Sequence, residues 1–126
     1  MSNFSDVKHF METFGQDVLT VPTLPDESLG QLRIDLMVEE LNEVIDAMNQ
    51  GDVVNLAKEL CDLVYVCLGA AAAFGIPFDE CFKEVQRSNM SKLTKDGKVL
   101  RREDGKVLKS DQYSPANLEL ILFPTK

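Results

Sequence analysis

A chain of 126 residues with 44% hydrophobic content holds the material for one domain, 1–126, with a modest core and no room for a second. Its net charge of -8 sets it against phosphate backbones and anionic lipid, so general nucleic-acid binding and attachment to a membrane surface are excluded. No apolar run reaches the roughly 18 residues of a membrane span, and Met1-Ser2-Asn3-Phe4-Ser5-Asp6 lacks the basic-then-apolar shape of a signal peptide, so a cytoplasmic protein is expected.

In chain order, Val7, Phe10, Met11 and Phe14 mark a weak helical pattern from Asp6 to Phe14, closed by Gly15. Residues 16–24 carry β-branched side chains and Pro22, with Pro25 next, and read as a connector. Asp26, Glu27 and Ser28 then supply capping chemistry for a long helix from about Leu29 to Asn49, which Gln50-Gly51 ends. Asp52 caps a third helix that runs to about Phe74 and stops at Gly75-Ile76-Pro77. So short a turn between them makes the two long helices antiparallel neighbours. From Leu60 to Phe74 the third helix is apolar on almost every side, more than one small domain can cover, which implies an oligomer. Cys61, Cys67 and Cys81, odd in number and set in apolar stretches, read as reduced core residues. A fourth helix, about Phe78 to Ser88, offers Phe82 and Val85 to the core.

After Leu93 the chain turns polar and basic. Asp96-Gly97-Lys98-Val99-Leu100 recurs as Asp104-Gly105-Lys106-Val107-Leu108, and Asp-Gly between apolar pairs predicts a hairpin or two successive turns. The expected architecture is therefore all-α: an antiparallel helical core over about 4–93 and a hairpin-like C-terminal arm over about 94–126. Lys92, Lys95, Lys98, Arg101, Arg102, Lys106 and Lys109 gather positive charge in this otherwise acidic chain. Two readings stay open, a solvated loop that balances charge and an arm that contacts phosphates through Lys92 and Lys109.

Two acidic pairs carry the chemistry. Glu40 and Glu43, then Glu59 and Asp62, are each spaced i,i+3, so each pair presents two carboxylates on one helix face. In so acidic a chain an isolated pair is ordinarily a solvated surface. These pairs differ because they continue apolar stripes: Glu40 and Glu43 fall in line with Leu29, Leu32, Leu36 and Ala47, while Glu59 and Asp62 flank Leu63, Val66, Ala70 and Ala73. Carboxylates on inward faces of adjacent helices call for cations, and hard divalent ions with oxygen ligands suit them best. Glu39 points about 100° away, as a bridging acid or an exposed one.

The run Glu39-Glu40-x-x-Glu43, then Glu59-x-x-Asp62 and a later helix with Lys83, Arg87 and Asn89, resembles the all-α nucleoside triphosphate pyrophosphohydrolases, the MazG-like and phosphoribosyl-ATP pyrophosphohydrolase-like superfamily. Many members have Arg followed directly by Asn; here Ser88 stands between Arg87 and Asn89. The resemblance implies two or more Mg²⁺ ions, replaceable by Mn²⁺, on Glu40, Glu43, Glu59 and Asp62. It implies cleavage between the α and β phosphates of a nucleoside triphosphate, with Glu39 or Glu43 as base through water. Arg87, Asn89 and Lys92 would contact phosphate or sugar, and Phe14, Gln16 and Tyr113 would frame the base. A dimer of dimers is implied as the assembly. The short chain and the Ser88–Leu93 run are similar to small phage members that trim deoxynucleotide pools, some of them, the MazZ type, acting on dGTP. The same scaffold also serves dUTP, dCTP, oxidised nucleotides and phosphoribosyl-ATP. A different class stays open beside it: a noncatalytic helical adaptor whose acids hold a structural ion and whose apolar third helix makes the interface.

Overall fold

The structure of the protein, a computed structural model, describes residues 1–124. Five helices form in the order α1 (Asn3–Thr13), α2 (Glu27–Gln50), α3 (Val53–Ala73), α4 (Phe78–Met90) and α5 (Glu119–Leu122). Among the described residues the only β pairing is an isolated antiparallel bridge between Arg101 and Val107, so the fold is all-α as expected. The chain divides into two compact units, 1–78 and 79–126. The sequence places its change of character near Leu93, whereas this division falls at the start of α4.

In the first unit, α1 begins three residues before the sequence pattern suggests. A reciprocal cap explains the difference: Ser5 N–H donates to Ser2 Oγ at 3.1 Å and Ser2 N–H donates to Ser5 Oγ at 2.9 Å, satisfying donors that open a helix end. Phe4, Val7 and Met11, spaced along one face, are buried against Leu68 and the run Ala71, Ala72 and Ala73 of α3. Small alanines let α1 seat closely, and burying a side chain the size of Met11 is worth about 1.5–3 kcal/mol. Val18, Phe74, Ile76 and Phe78 close the rim of this core.

The connector between α1 and α2 is tied to the end of α3, with Leu19 N–H donating to Ala72 O at 3.1 Å and Thr23 N–H to Phe74 O at 2.8 Å. Gly75 makes that approach possible. Its φ is +71°, and a Cβ there would collide with the Val21 carbonyl.

Asp26 caps α2 by accepting from Leu29 N–H at 2.8 Å, and Asp52 caps α3 by accepting from Asn55 N–H at 3.0 Å. Between the helices lie only Gly51, in the left-handed conformation at φ 69°, and Asp52. A two-residue link folds α3 back along α2, which is the antiparallel pairing that the acidic motifs require.

Three expectations need correction. Cys61 and Cys67 are exposed in the isolated chain and only Cys81 is buried, because α3 is covered on some of its apolar sides and not on others. Phe82 is 60% exposed, since the buried positions of α4 are Cys81 and Ser88, seven residues apart, and Phe82 lies about 100° off that line. Leu32 stays half-exposed on α2 and does not complete an inward stripe.

In the second unit both Asp-Gly repeats make turns. At the first, Thr94 N–H donates to Lys98 O at 2.9 Å and Gly97 N–H to Thr94 O at 2.8 Å. At the second, Arg102 N–H donates to Lys106 O and Leu108 N–H to Leu100 O, each at 2.8 Å, flanking the bridge. The arm is hairpin-like at this second repeat.

Candidate metal centre

Antiparallel pairing of α2 and α3 brings together acids 16 to 19 residues apart in sequence. One carboxylate oxygen from each of Glu40, Glu43 and Glu59 lies within 4.8 Å of the other two. Glu59 is only 6% exposed, Glu40 is half-buried and Glu43 is exposed, so the cluster opens on the Glu43 side. The Glu59 carboxyl is held above the ordinary carboxylate range, first by its hydrogen bond with the Glu43 carboxyl and then by burial, with Lys58 pulling the other way. Two acids that share a hydrogen bond at such range cannot both be charged cheaply. Glu40 Oε2 and Glu59 Oε2 are covered and have no hydrogen-bond partner among the described residues. Buried carboxylate oxygens without donors are costly unless a cation meets them, and an all-oxygen donor set of this kind fits Mg²⁺ or Mn²⁺.

The other acids go elsewhere. Asp62 Oδ2 receives the Lys58 ammonium at 2.7 Å, and the same ammonium reaches Glu59 Oε1 at 3.4 Å. Asp62 lies outside the three-carboxylate cluster. Hydrogen bonds to Asp62 and then to Glu59 push the Lys58 ammonium well above the usual lysine value. Lys58 is a residue that the acidic spacing overlooks; its position four residues before Asp62 is the signal that would have found it. Glu39 is exposed, one residue and about 100° around α2 from Glu40.

Gln16 lines a cavity of about 140 Å³ together with Arg33, Leu36 and Tyr65. Phe14 does not reach it. Its ring is 66% exposed and stacks on Phe10 at 4.5 Å between centroids, while Phe10 meets Tyr65 edge-on at 5.7 Å.

The remaining candidates belong to the second unit. Arg87 forks onto Glu84 at 2.9 and 2.8 Å and donates to Pro115 O at 3.1 Å, with Ser114 O at 3.5 Å. Glu84 also accepts from Asn117 N–H at 2.9 Å, and the Arg87 guanidinium, followed by that backbone donor, holds its carboxyl down at about 2. Arg87 thus ties residues 114–117 to α4. Ser91 adds to this clasp, its Oγ accepting from Ser114 N–H at 2.8 Å. Lys109 Nζ lies 4.7 Å from the centroid of the half-buried Tyr113 ring, a cation–π pair. Asn89 is exposed and Lys92 is half-buried.

A family model described as phosphoribosyl-ATP pyrophosphohydrolase matches residues 7–89, a span that holds the three clustered carboxylates, Lys58, Asp62, Arg87 and Asn89 and ends before Lys92. The chain is also 34% identical over 82 residues to "Uncharacterized protein L479" of Acanthamoeba polyphaga mimivirus, an alignment covering 62% of this chain and 33% of that protein. It spans about a third of the length of that relative. With the acids on two antiparallel helices and the match running through all of them, the chain belongs to the phosphoribosyl-ATP pyrophosphohydrolase family, within the MazG-like all-α superfamily.

Proposed function

We propose that this protein is a Mg²⁺-dependent nucleoside triphosphate pyrophosphohydrolase, opening the α–β anhydride of a deoxynucleoside triphosphate to the monophosphate and pyrophosphate. One observation carries the reading: three carboxylates from two helices converge within 4.8 Å while two of their oxygens are covered and lack any donor. Glu40, Glu43 and Glu59 would hold the ions, with Asp62 joining from its place one turn beyond Glu59. When bound, the ions neutralise the triphosphate and lower the pKa of a water at the anhydride.

The chain's own residues do the rest. Lys58 sets the charge balance at Glu59 and Asp62. Glu43, at the open side of the cluster, or the exposed Glu39 one turn before it would accept the proton of the attacking water, a role that their exposure supports. Water adds across the anhydride, its oxygen stays on one phosphoryl product and its proton passes to a carboxylate, so no covalent intermediate on the protein is needed. Asn89, Lys92 and Lys109 are proposed as substrate contacts on the strength of the sequence pattern. Arg87 is proposed in a supporting role, given its bonds to Glu84 and Pro115.

Among substrates, dGTP is placed first, with dUTP and phosphoribosyl-ATP as the alternatives. The assembly is proposed as a homo-oligomer built on α2 and α3, whose Ile34, Val38, Leu41, Ile45, Leu60 and Val64 are all well exposed. That same surface is what favours the second reading, an adaptor in which the acids hold a structural ion. Incubation with a panel of nucleoside triphosphates and Mg²⁺, with products separated by chromatography, decides between them. Monophosphate and pyrophosphate support the enzyme; orthophosphate as the first product, or no turnover on any member, overturns it.

A further inference from the structure

Arg33 is a cation without a counterpart. It sits on α2 seven residues before Glu40, hence on the same face and two turns away, about 10.5 Å along the axis. Its Nε is covered and unsatisfied, and among the described residues the Arg33 side chain has no hydrogen bond or ion pair. Burial holds its guanidinium below the ordinary arginine value. Across the helix pair lies Gly69, where a Cβ would come within 2.9 Å of Arg33 Nη1. Glycine interrupts an otherwise alanine-rich and leucine-rich turn of α3 at the one point where the guanidinium lies against the helix.

Arg33 also borders two cavities. One, of about 140 Å³, has Phe10, Tyr65 and Val66 in its walls; the other, of about 560 Å³, has Leu29, Leu32 and Ala73, and Gln16 and Leu36 line both. Largely apolar and aromatic walls, with Gln16 in both cavities and the Asp17 carboxylate in the larger one beside this fork of hydrogen-bond donors, make a poor home for a triphosphate and a good one for a flat heterocycle with polar edges. A guanidinium only donates, so its partner must offer acceptors. Of the two natural purines, guanine places two side by side on one edge, O6 and N7, while adenine sets a donor beside its N7; cytosine pairs N3 with O2 but brings only a single ring to these walls.

We propose that Arg33 reads the nucleobase and that the base it takes is a 6-oxopurine. Only the phosphate end of this picture rests on the pyrophosphohydrolase reading. The base end stands on the unpaired guanidinium, the glycine opposite it and the cavities it borders.

The test uses the full chain in excess chelator, with dGMP, dIMP and dAMP titrated by calorimetry. dIMP keeps O6 and N7, so it should bind with dGMP, while dAMP should bind about ten- to a hundredfold more weakly. Arg33→Met should erase that preference. The same variant should melt no lower than the parent without ligand, because it removes a half-buried charge that no described residue pairs. Gly69→Ala leaves the charge in place and displaces the guanidinium, and it should narrow the preference too, which keeps the test decisive if Arg33→Met does not fold. Equal binding of dGMP and dAMP, no binding of any of the three, or a full preference retained in Gly69→Ala or in a folded Arg33→Met overturns the proposal. Absence of turnover with Mg²⁺ alongside an intact dGMP preference would sink the enzyme reading and leave this one standing.

Discussion

At the scale of single residues, two carboxyls respond to pH in opposite directions and in different windows. Glu59 has its folded pKa raised above 4.5 by Glu43 and by burial, so the folded state binds this proton more tightly than the unfolded chain. Its contribution to stability is complete below about pH 4.5 and is lost as pH rises through the folded value. Without metal the melting temperature should therefore fall across that rise, and Mg²⁺ should reverse the fall by replacing the proton. Glu59→Gln should flatten the metal-free profile and abolish turnover while leaving the chain folded, as melting curves and product assays will check. Glu84 behaves the other way. Its folded pKa of about 2 lies below the ordinary 4.5, so the stability it lends the second unit is present above pH 4.5 and drains away as pH falls toward 2. Arg87→Met should weaken that acid-side dependence, leaving the share that Asn117 N–H supplies, and amide exchange at Ser114, Ala116 and Asn117 is the readout.

The helices depend on a few end residues that are cheap to test. Ser2→Ala removes the half of the reciprocal cap in which Ser2 Oγ accepts from Ser5 N–H and should cost about 0.5–2 kcal/mol, seen as a lower denaturation midpoint. Gly75→Ala should cost more than about 1 kcal/mol. It demands a Cβ at φ +71° and forces the Val21 carbonyl away, which loosens the connector that Leu19 and Thr23 tie to α3. In the C-terminal unit the two Asp-Gly repeats are not equivalent: only the second sets up a bridge, so Gly105→Ala, at φ 89°, should unravel Arg101–Val107 while leaving the Thr94–Lys98 turn intact.

At the scale of the molecule, α2 and α3 leave more large apolar side chains open than they bury. Leu41 and Ile45, at 47% and 45% exposure, sit on the same turn-to-turn face of α2. Sedimentation velocity should show an oligomer of the wild-type chain at micromolar concentration and a shift toward monomer in Leu41→Glu with Ile45→Glu. A wild-type monomer would contradict the proposed assembly and leave the exposure of Cys61 and Cys67 as a real property in solution.

The sequence by itself determined the two long helices, α2 and α3, and where they end, but not the early start of α1 or the short α5. Asp26, Asp52, Gly51 and Gly75 are local signals, and a cap or a left-handed turn is decided within four residues of chain. It also determined that Glu40, Glu43 and Glu59 would meet, because a two-residue link leaves two long helices no partner nearer than each other. What the tertiary structure decided is where charges find their partners. Arg87 reaches the carbonyl of Pro115, Glu84 accepts from Asn117 N–H, and the Arg33 side chain, lying against Gly69, meets no opposite charge among the described residues. Helical spacing fixes the direction in which a side chain leaves its own axis. Long side chains then settle on whatever opposite charge or empty space lies within a few ångströms, and only the packed arrangement of several segments says what that is.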